Sequence, residues 1–313
     1  MFIEFVTPLI IPQREDYFCD SVYSYTSRGL WVNKSKGRAK GYYGKQKFTY
    51  NFYEPHLRDT PLRDKGIRVL TIGDSFVFGA YLNKEETMIY HFQEYADKEF
   101  GKDVYCFLNA GTGGWGIADY VAFVDDFVEK IKPDIILVIL NMFDVERAVS
   151  SELFDFDLNS GLKRKEPIRY LFILKKCISS IPFYNYLIRY SKFLNCMRTQ
   201  VVMFIENTRR KNALAKTDDK NHSIGGLNNF YDYNIKLAES LFVYLKEICK
   251  QRGIKLYVTT TGYTFLGKDN NFTRDFILHA KEFFKNIGVQ FCDISSYNLE
   301  RITEDRIDCY FFS

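Results

Sequence analysis

The chain has 313 residues, 46% hydrophobic and 26% charged, which is ordinary for a globular protein with a large core, and a high aromatic content of 17%. A net charge of +4 without a stripe of Lys and Arg interleaved with exposed aromatics gives no argument for a nucleic-acid partner or a membrane surface. Seven cysteines, odd in number and without a Cys-x-x-Cys pair, exclude an encoded zinc site or disulfide framework.

Residues 1–65 mix aromatics, glycines and charges without sustained periodicity, and read as a loop-rich segment with one hairpin, packed on the core. Its first 12 residues are apolar, too short to span a bilayer and without a signal peptide's flanks. No export signal follows from them, so the default compartment is cytoplasmic, or the cell envelope if a longer parent carries an anchor. Within the segment, Lys34 to Lys47 reads as a solvated loop.

From residue 66 the pattern becomes regular. Strands are expected at Ile67–Ile72, Val104–Leu108 and Asp134–Leu140, with helices around Glu86–Glu99 and Ala118–Lys130. Continuous apolar strands alternating with helices argue for a parallel sheet covered on both faces. Between about 150 and 228 the alternation stops, and the apolar stretch Pro167–Thr199 reads as an inserted helical cap. A helix through Leu237, Leu241, Leu245 and Ile248, a strand at Ile254–Thr260, a helix with Phe272, Phe276, Ala280 and Phe283, and a strand at Val289–Ile294 complete the pattern. The expectation is a three-layer α/β domain over 66–313, flavodoxin-like, with five parallel strands and a helical insertion.

Ser75, in Gly73-Asp74-Ser75, stands at the carboxyl end of the first core strand, where open α/β sheets place their ligand crevices. It is a candidate nucleophile, although Gly-Asp-Ser is also ordinary turn chemistry. After the second strand, Gly111, Gly113 and Gly116 satisfy Gly-x-Gly-x-x-Gly ahead of a helix, with Asp144 at the end of the third strand. That allows a dinucleotide-binding reading, weakened because Asp144 lies 28 residues past Gly116 rather than about 20.

Taken together, Gly73-Asp74-Ser75, then Asn109 with Gly114, then an apolar strand ending at Asp144 resemble the SGNH, or GDSL-type, esterase family. The resemblance implies Ser75 as nucleophile and, through its own N–H, first oxyanion donor, with Gly114 as the second. Asp74, Asn109 and Asp144 support them. The family's third donor is an asparagine directly before the aspartate, where this chain has Phe143; Asn141, two residues earlier, is the weak substitute. The implied activity is a serine esterase or O-acyl hydrolase or transferase acting on a small-molecule, glycan or lipid ester. No cofactor and no metal belong to it.

The same family supplies its general base as Asp-x-x-His after the last strand. None of the four histidines (His56, His91, His222, His279) lies there. The expectation is therefore a truncated chain, whose intact parent is the enzyme and whose membrane anchoring, if any, belongs to that parent. One Asp-x-x-His exists, Asp219-Lys220-Asn221-His222, in a polar loop ahead of the fourth strand. A non-catalytic SGNH-like binding module is the alternative that the absent base and Phe143 favour.

Overall fold

The computed structural model describes residues 16–18, 22–141, 143–157, 161–165, 230–260 and 271–293, with isolated positions between 191 and 208. Ahead of the core come six short strands, β1 (Asp16–Phe18), β2 (Tyr23–Tyr25), β3 (Trp31–Asn33), β4 (Gly37–Tyr43), β5 (Gln46–Tyr53) and β6 (Leu57–Arg58). The loop-rich reading of this segment is thus corrected: β2 pairs with β3, and the other four form a sheet in the order β1-β4-β5-β6. Alternation builds it. Ala39, Phe48, Tyr50 and Phe52 turn inward, while Arg38, Lys40 and Lys47 face out.

The core strands are β7 (Ile67–Ile72), β8 (Tyr105–Asn109) and β9 (Ile135–Leu140); after a hairpin of β10 (Phe154–Asp157) and β11 (Gly161–Arg164) come β12 (Lys255–Thr260) and β13 (Gln290–Cys292). The five core strands are all parallel, in the order β13-β12-β9-β7-β8, as expected. Helices α1 (Ser75–Phe78), α2 (Met88–Phe100), α3 (Ile117–Ile131), α4 (Asp144–Ser150), α5 (Phe230–Gln251) and α6 (Asn271–Asn286) connect or flank them.

Strand period places the layers. Leu70, Ile72, Ile136, Val138 and Val258 point to one face and bury themselves against α3, α5 and α6. The opposite face carries Phe107 and Leu137, which pack with Phe92 of α2. Beyond α2 that second face bears an apolar groove of about 710 Å³, lined by residues such as Leu137, Tyr257 and Phe291.

The insertion expected to be helical opens instead with the β10–β11 hairpin, which Arg164 fastens to α3 through Asp125 and Asp126 (2.5 and 2.8 Å). The cap predicted at Pro167–Thr199 lies outside the described residues apart from isolated positions. Among the described residues no helix is long and apolar enough to cross a membrane.

Candidate active site

At Ile72 the chain leaves β7, and Gly73 then passes so close to α1 and β9 that a Cβ would sit 2.3 Å from Val77 Cγ2 and 3.0 Å from the Ile139 carbonyl. Asp74 ends the extended run. Its Oδ1 accepts the Phe76 N–H at 3.0 Å, capping α1 and making Ser75 the first helical residue. Ser75 is half-buried and lies where β7 separates β8 from β9, the point at which a doubly wound sheet opens its crevice. Among the described residues neither its hydroxyl nor its N–H has a hydrogen-bond partner.

The glycine loop after β8 closes against this turn. Gly111 touches α1, since a Cβ there would lie 2.2 Å from the Phe78 nitrogen. Asn109 ties the two together: its Nδ2 donates to the Val77 carbonyl at 3.0 Å, and its Oδ1 accepts the Gly111 N–H at 3.0 Å. Thr112 N–H reaches the Gly73 carbonyl at 3.1 Å, and Gly113 N–H donates to the Tyr23 hydroxyl of β2. Gly114 is different. It is exposed, holds φ +83°, has open space where a Cβ would project, and its N–H has no acceptor among the described residues.

The dinucleotide reading fails at Gly116. A pyrophosphate needs the N-terminus of the following helix open, but α3 begins under α4: a Gly116 Cβ would stand 2.5 Å from Arg147 Cβ and 2.7 Å from the Asp144 carbonyl. The Gly116 N–H is already donated to Asp119 Oδ2 at 3.0 Å.

Beneath Ser75 lies a network of two buried carboxylates. Arg147 Nη1 donates to Asp74 Oδ2 at 2.9 Å, approaches Asp144 Oδ1 at 3.4 Å, and reaches the Trp115 carbonyl at 3.3 Å. Asp144 Oδ2 accepts the Tyr120 hydroxyl and the Asn141 N–H, both at 2.7 Å. Burial, reinforced by the charge of Asp74, pushes the Asp144 carboxyl well above its ordinary range. Arg147 has no signature in sequence; it matters because it joins Asp74, 73 residues earlier, to the carbonyl of Trp115.

Asn141 is not placed as an oxyanion donor. Its Nδ2 reaches Asp74 Oδ2 at 3.3 Å and its Oδ1 accepts the Phe143 N–H at 3.1 Å, an Asx turn that fixes the side chain toward the network. Phe143, where the resemblance calls for a donor, is 45% exposed.

The described histidines each have a structural partner. His56 Nδ1 lies 2.6 Å from the Asn33 carbonyl with its ring against Phe127, and burial holds its pKa down. His91 faces Glu94 at 3.5 Å and His279 faces Glu239 at 2.9 Å, both on the surface. His222 and Asp219 lie outside the described residues, as does everything after Asp293.

No protein-family profile and no curated protein matches the chain. Solved structures to which it is similar include the acetyl xylan esterase AlAXEase, at 14% identity over 75% of this chain and 82% of that one, with a TM-score of 0.40. AlinE4, an SGNH-hydrolase family esterase, aligns at 12% identity over 78% and 87%, with a TM-score of 0.39. A catalytic mutant of Axe2, an acetylxylan esterase from Geobacillus stearothermophilus, aligns at 14% identity over 78% and 84%, also at 0.39. The five-stranded parallel sheet is the architecture that the SGNH/GDSL resemblance implies, and the Gly-Asp-Ser turn follows its first core strand.

Proposed function

We propose that this protein is a serine-dependent ester hydrolase or O-acyl transferase of the SGNH/GDSL type, acting on an acyl, in the simplest case acetyl, ester of a glycan or lipid. The observation that supports it is Ser75 at the switch point, half-exposed on the first turn of α1, with its own N–H and that of Gly114 unengaged. In this reading Ser75 Oγ attacks the ester carbonyl. Negative charge develops on the carbonyl oxygen, where the Ser75 and Gly114 amides serve as donors. The leaving alcohol departs with a proton, and water or another hydroxyl takes the acyl group from Ser75. The base acting on Ser75 is none of the three described histidines; among the chain's four, His222 with Asp219 has the matching spacing.

With Asn141 engaged below the loop, the third donor is missing, which by the usual value of one such group lowers the rate about 100- to 1000-fold. That favours a second reading, a binding module that keeps the crevice without turnover. Intact mass after treatment with a fluorophosphonate separates them. A single adduct that disappears in Ser75→Ala and in His222→Ala supports the esterase. An unmodified wild-type chain rejects an esterase that works with His222 and leaves the binding module as the reading for these 313 residues.

A further inference from the structure

The turn that carries Gly114 closes with the Trp115 N–H on the Thr112 carbonyl at 3.3 Å, and of its two central residues only Gly114 has a positive φ, +83°. That combination is a type II turn. The type I alternative differs by about 150° in the first central ψ and about 170° in the second central φ, which amounts to turning over the one peptide between them. With glycine at both central positions no Cβ favours either form. The direction of the Gly114 N–H therefore has to be fixed from outside the turn.

One hairpin does this. β2 and β3 reach the loop at alternate residues: Asn33 Nδ2 donates to the Gly111 carbonyl at 2.9 Å, the Gly113 N–H donates to the Tyr23 hydroxyl, and the Trp115 indole donates to the Trp31 carbonyl. Of these residues Tyr23 also touches the helix of the nucleophile. Its hydroxyl lies against Gly113, where a Cβ would come within 2.6 Å of it. Its ring packs against Trp31 and against Phe78 of α1, with centroids 4.9 and 5.9 Å away. A rigid phenol thus spans from the helix that Ser75 begins to the residue before Gly114. Burial and the neighbouring Tyr81 push this phenol up to about 12, so it stays a neutral hydroxyl at ordinary pH.

We propose that Tyr23 is a positioning residue for the oxyanion site: through Gly113 it holds the Thr112–Trp115 turn in its type II form, with the Gly114 N–H directed at the carbonyl oxygen of an ester attacked by Ser75. The proposal rests on the esterase reading. With Asn141 engaged below the loop, two amides are left to meet the developing charge, so the rate depends on how firmly this turn is held.

Tyr23→Phe keeps the ring between Trp31 and Phe78 and removes the acceptor of the Gly113 N–H. Two measurements read it: the 1H and 15N shifts of the Gly113 and Gly114 amides, which need no turnover, and the rate of fluorophosphonate labelling at Ser75. The variant is expected to melt cooperatively and to move both amide signals while those of Gly253 and Gly288, beyond α5 and α6, stay in place. Labelling is expected to slow about 10- to 100-fold. With 4-nitrophenyl acetate the loss is expected in kcat at unchanged KM, because the amide meets a charge that the bound ester has not yet developed. Gly114→Ala has open space for its Cβ and so changes only the backbone preference, against positive φ. It is expected to label at least about tenfold more slowly, and Gly114→Asn, which accepts that conformation, to stay nearer the parent. Labelling of Tyr23→Phe at the parent's rate, amide signals that do not move, or a loss confined to KM overturns the proposal. A parent-like rate in Gly114→Ala overturns it too, since the Gly114 N–H is then no donor. A parent chain that forms no adduct rejects the esterase reading; a shifted Gly114 signal in Tyr23→Phe then still supports the hold of Tyr23 on the turn, and an unmoved one rejects that as well.

Discussion

Asp119 stands on the first turn of α3 with its carboxylate turned back to the Gly116 N–H, and burial pushes its pKa up to about 7. A carboxyl with a raised folded pKa keeps its proton after the unfolded chain has lost its own. Its contribution to stability is therefore complete below about pH 4 and is lost as the pH rises toward about 7. Asp119→Asn keeps an acceptor for Gly116 and removes the titration. The variant is expected to gain on the parent across that window by roughly 1 to 4 kcal/mol, at about 1.4 kcal/mol per pKa unit. Urea unfolding of both proteins at several pH values checks this, and parallel curves reject it. Residue-scale legibility is uneven. Asp74 and Asn109 announce themselves because the bonds that shape the turn run to residues close in sequence or on the neighbouring loop. Arg147 does not, because beyond its own helix its partners, Asp74 and Trp115, come from two distant segments. Nor does the engagement of Asn141, which depends on an Asx turn and on Asp74 arriving from β7.

At the scale of elements, α1 has only four residues and needs support from outside. Arg58 of β6 supplies it. Its guanidinium is fully buried, donates to the carbonyls of Phe78, Gly79 and Leu82, pairs with Asp59 at 3.0 Å, and lies over the rings of Tyr50 and Phe78 at 4.1 and 4.6 Å. Gly79 must be glycine for the same reason: it holds φ +76°, and a Cβ would meet Arg58 Nη1 at 2.8 Å. Arg58→Met leaves Asp59 buried without its cation and strips three carbonyls of a donor. Its expected cost is about 3 to 5 kcal/mol, with Arg58→Lys recovering only part because a lysine lacks the planar fork. Chemical denaturation measures the loss; a change under about 1 kcal/mol would show that α1 holds itself. The core strands were legible because a buried parallel strand is a continuous apolar run bounded by turn residues. The N-terminal strands were not, since β1, β2 and β3 are only three residues long and their partners are antiparallel neighbours rather than a repeated period. The β10–β11 hairpin was hidden by charge, because Asp155, Asp157, Lys163 and Arg164 read as loop until Arg164 is seen against α3.

Across the whole molecule, the segment before the core is not a detachable appendage. Trp31 accepts the indole N–H of the buried Trp115. Asn33 Nδ2 donates to the Gly111 carbonyl at 2.9 Å, and Thr60 accepts the Asn109 N–H at 2.8 Å. Leu30, Val32 and Leu57 belong to the same buried cluster as the central sheet and α3. The polar contacts land on the end of β8 and the loop that follows it, so the segment fixes the half of the crevice that Gly114 occupies. A chain beginning at Pro61 would expose this apolar surface and leave the Gly111 carbonyl and the Trp115 indole without partners, at about 1 to 3 kcal/mol for each polar group that stays buried. It is expected to lose its cooperative thermal transition. Cooperative melting of that shortened chain, with Ser75 still taking a fluorophosphonate, would instead mean that the parallel sheet organises the crevice alone.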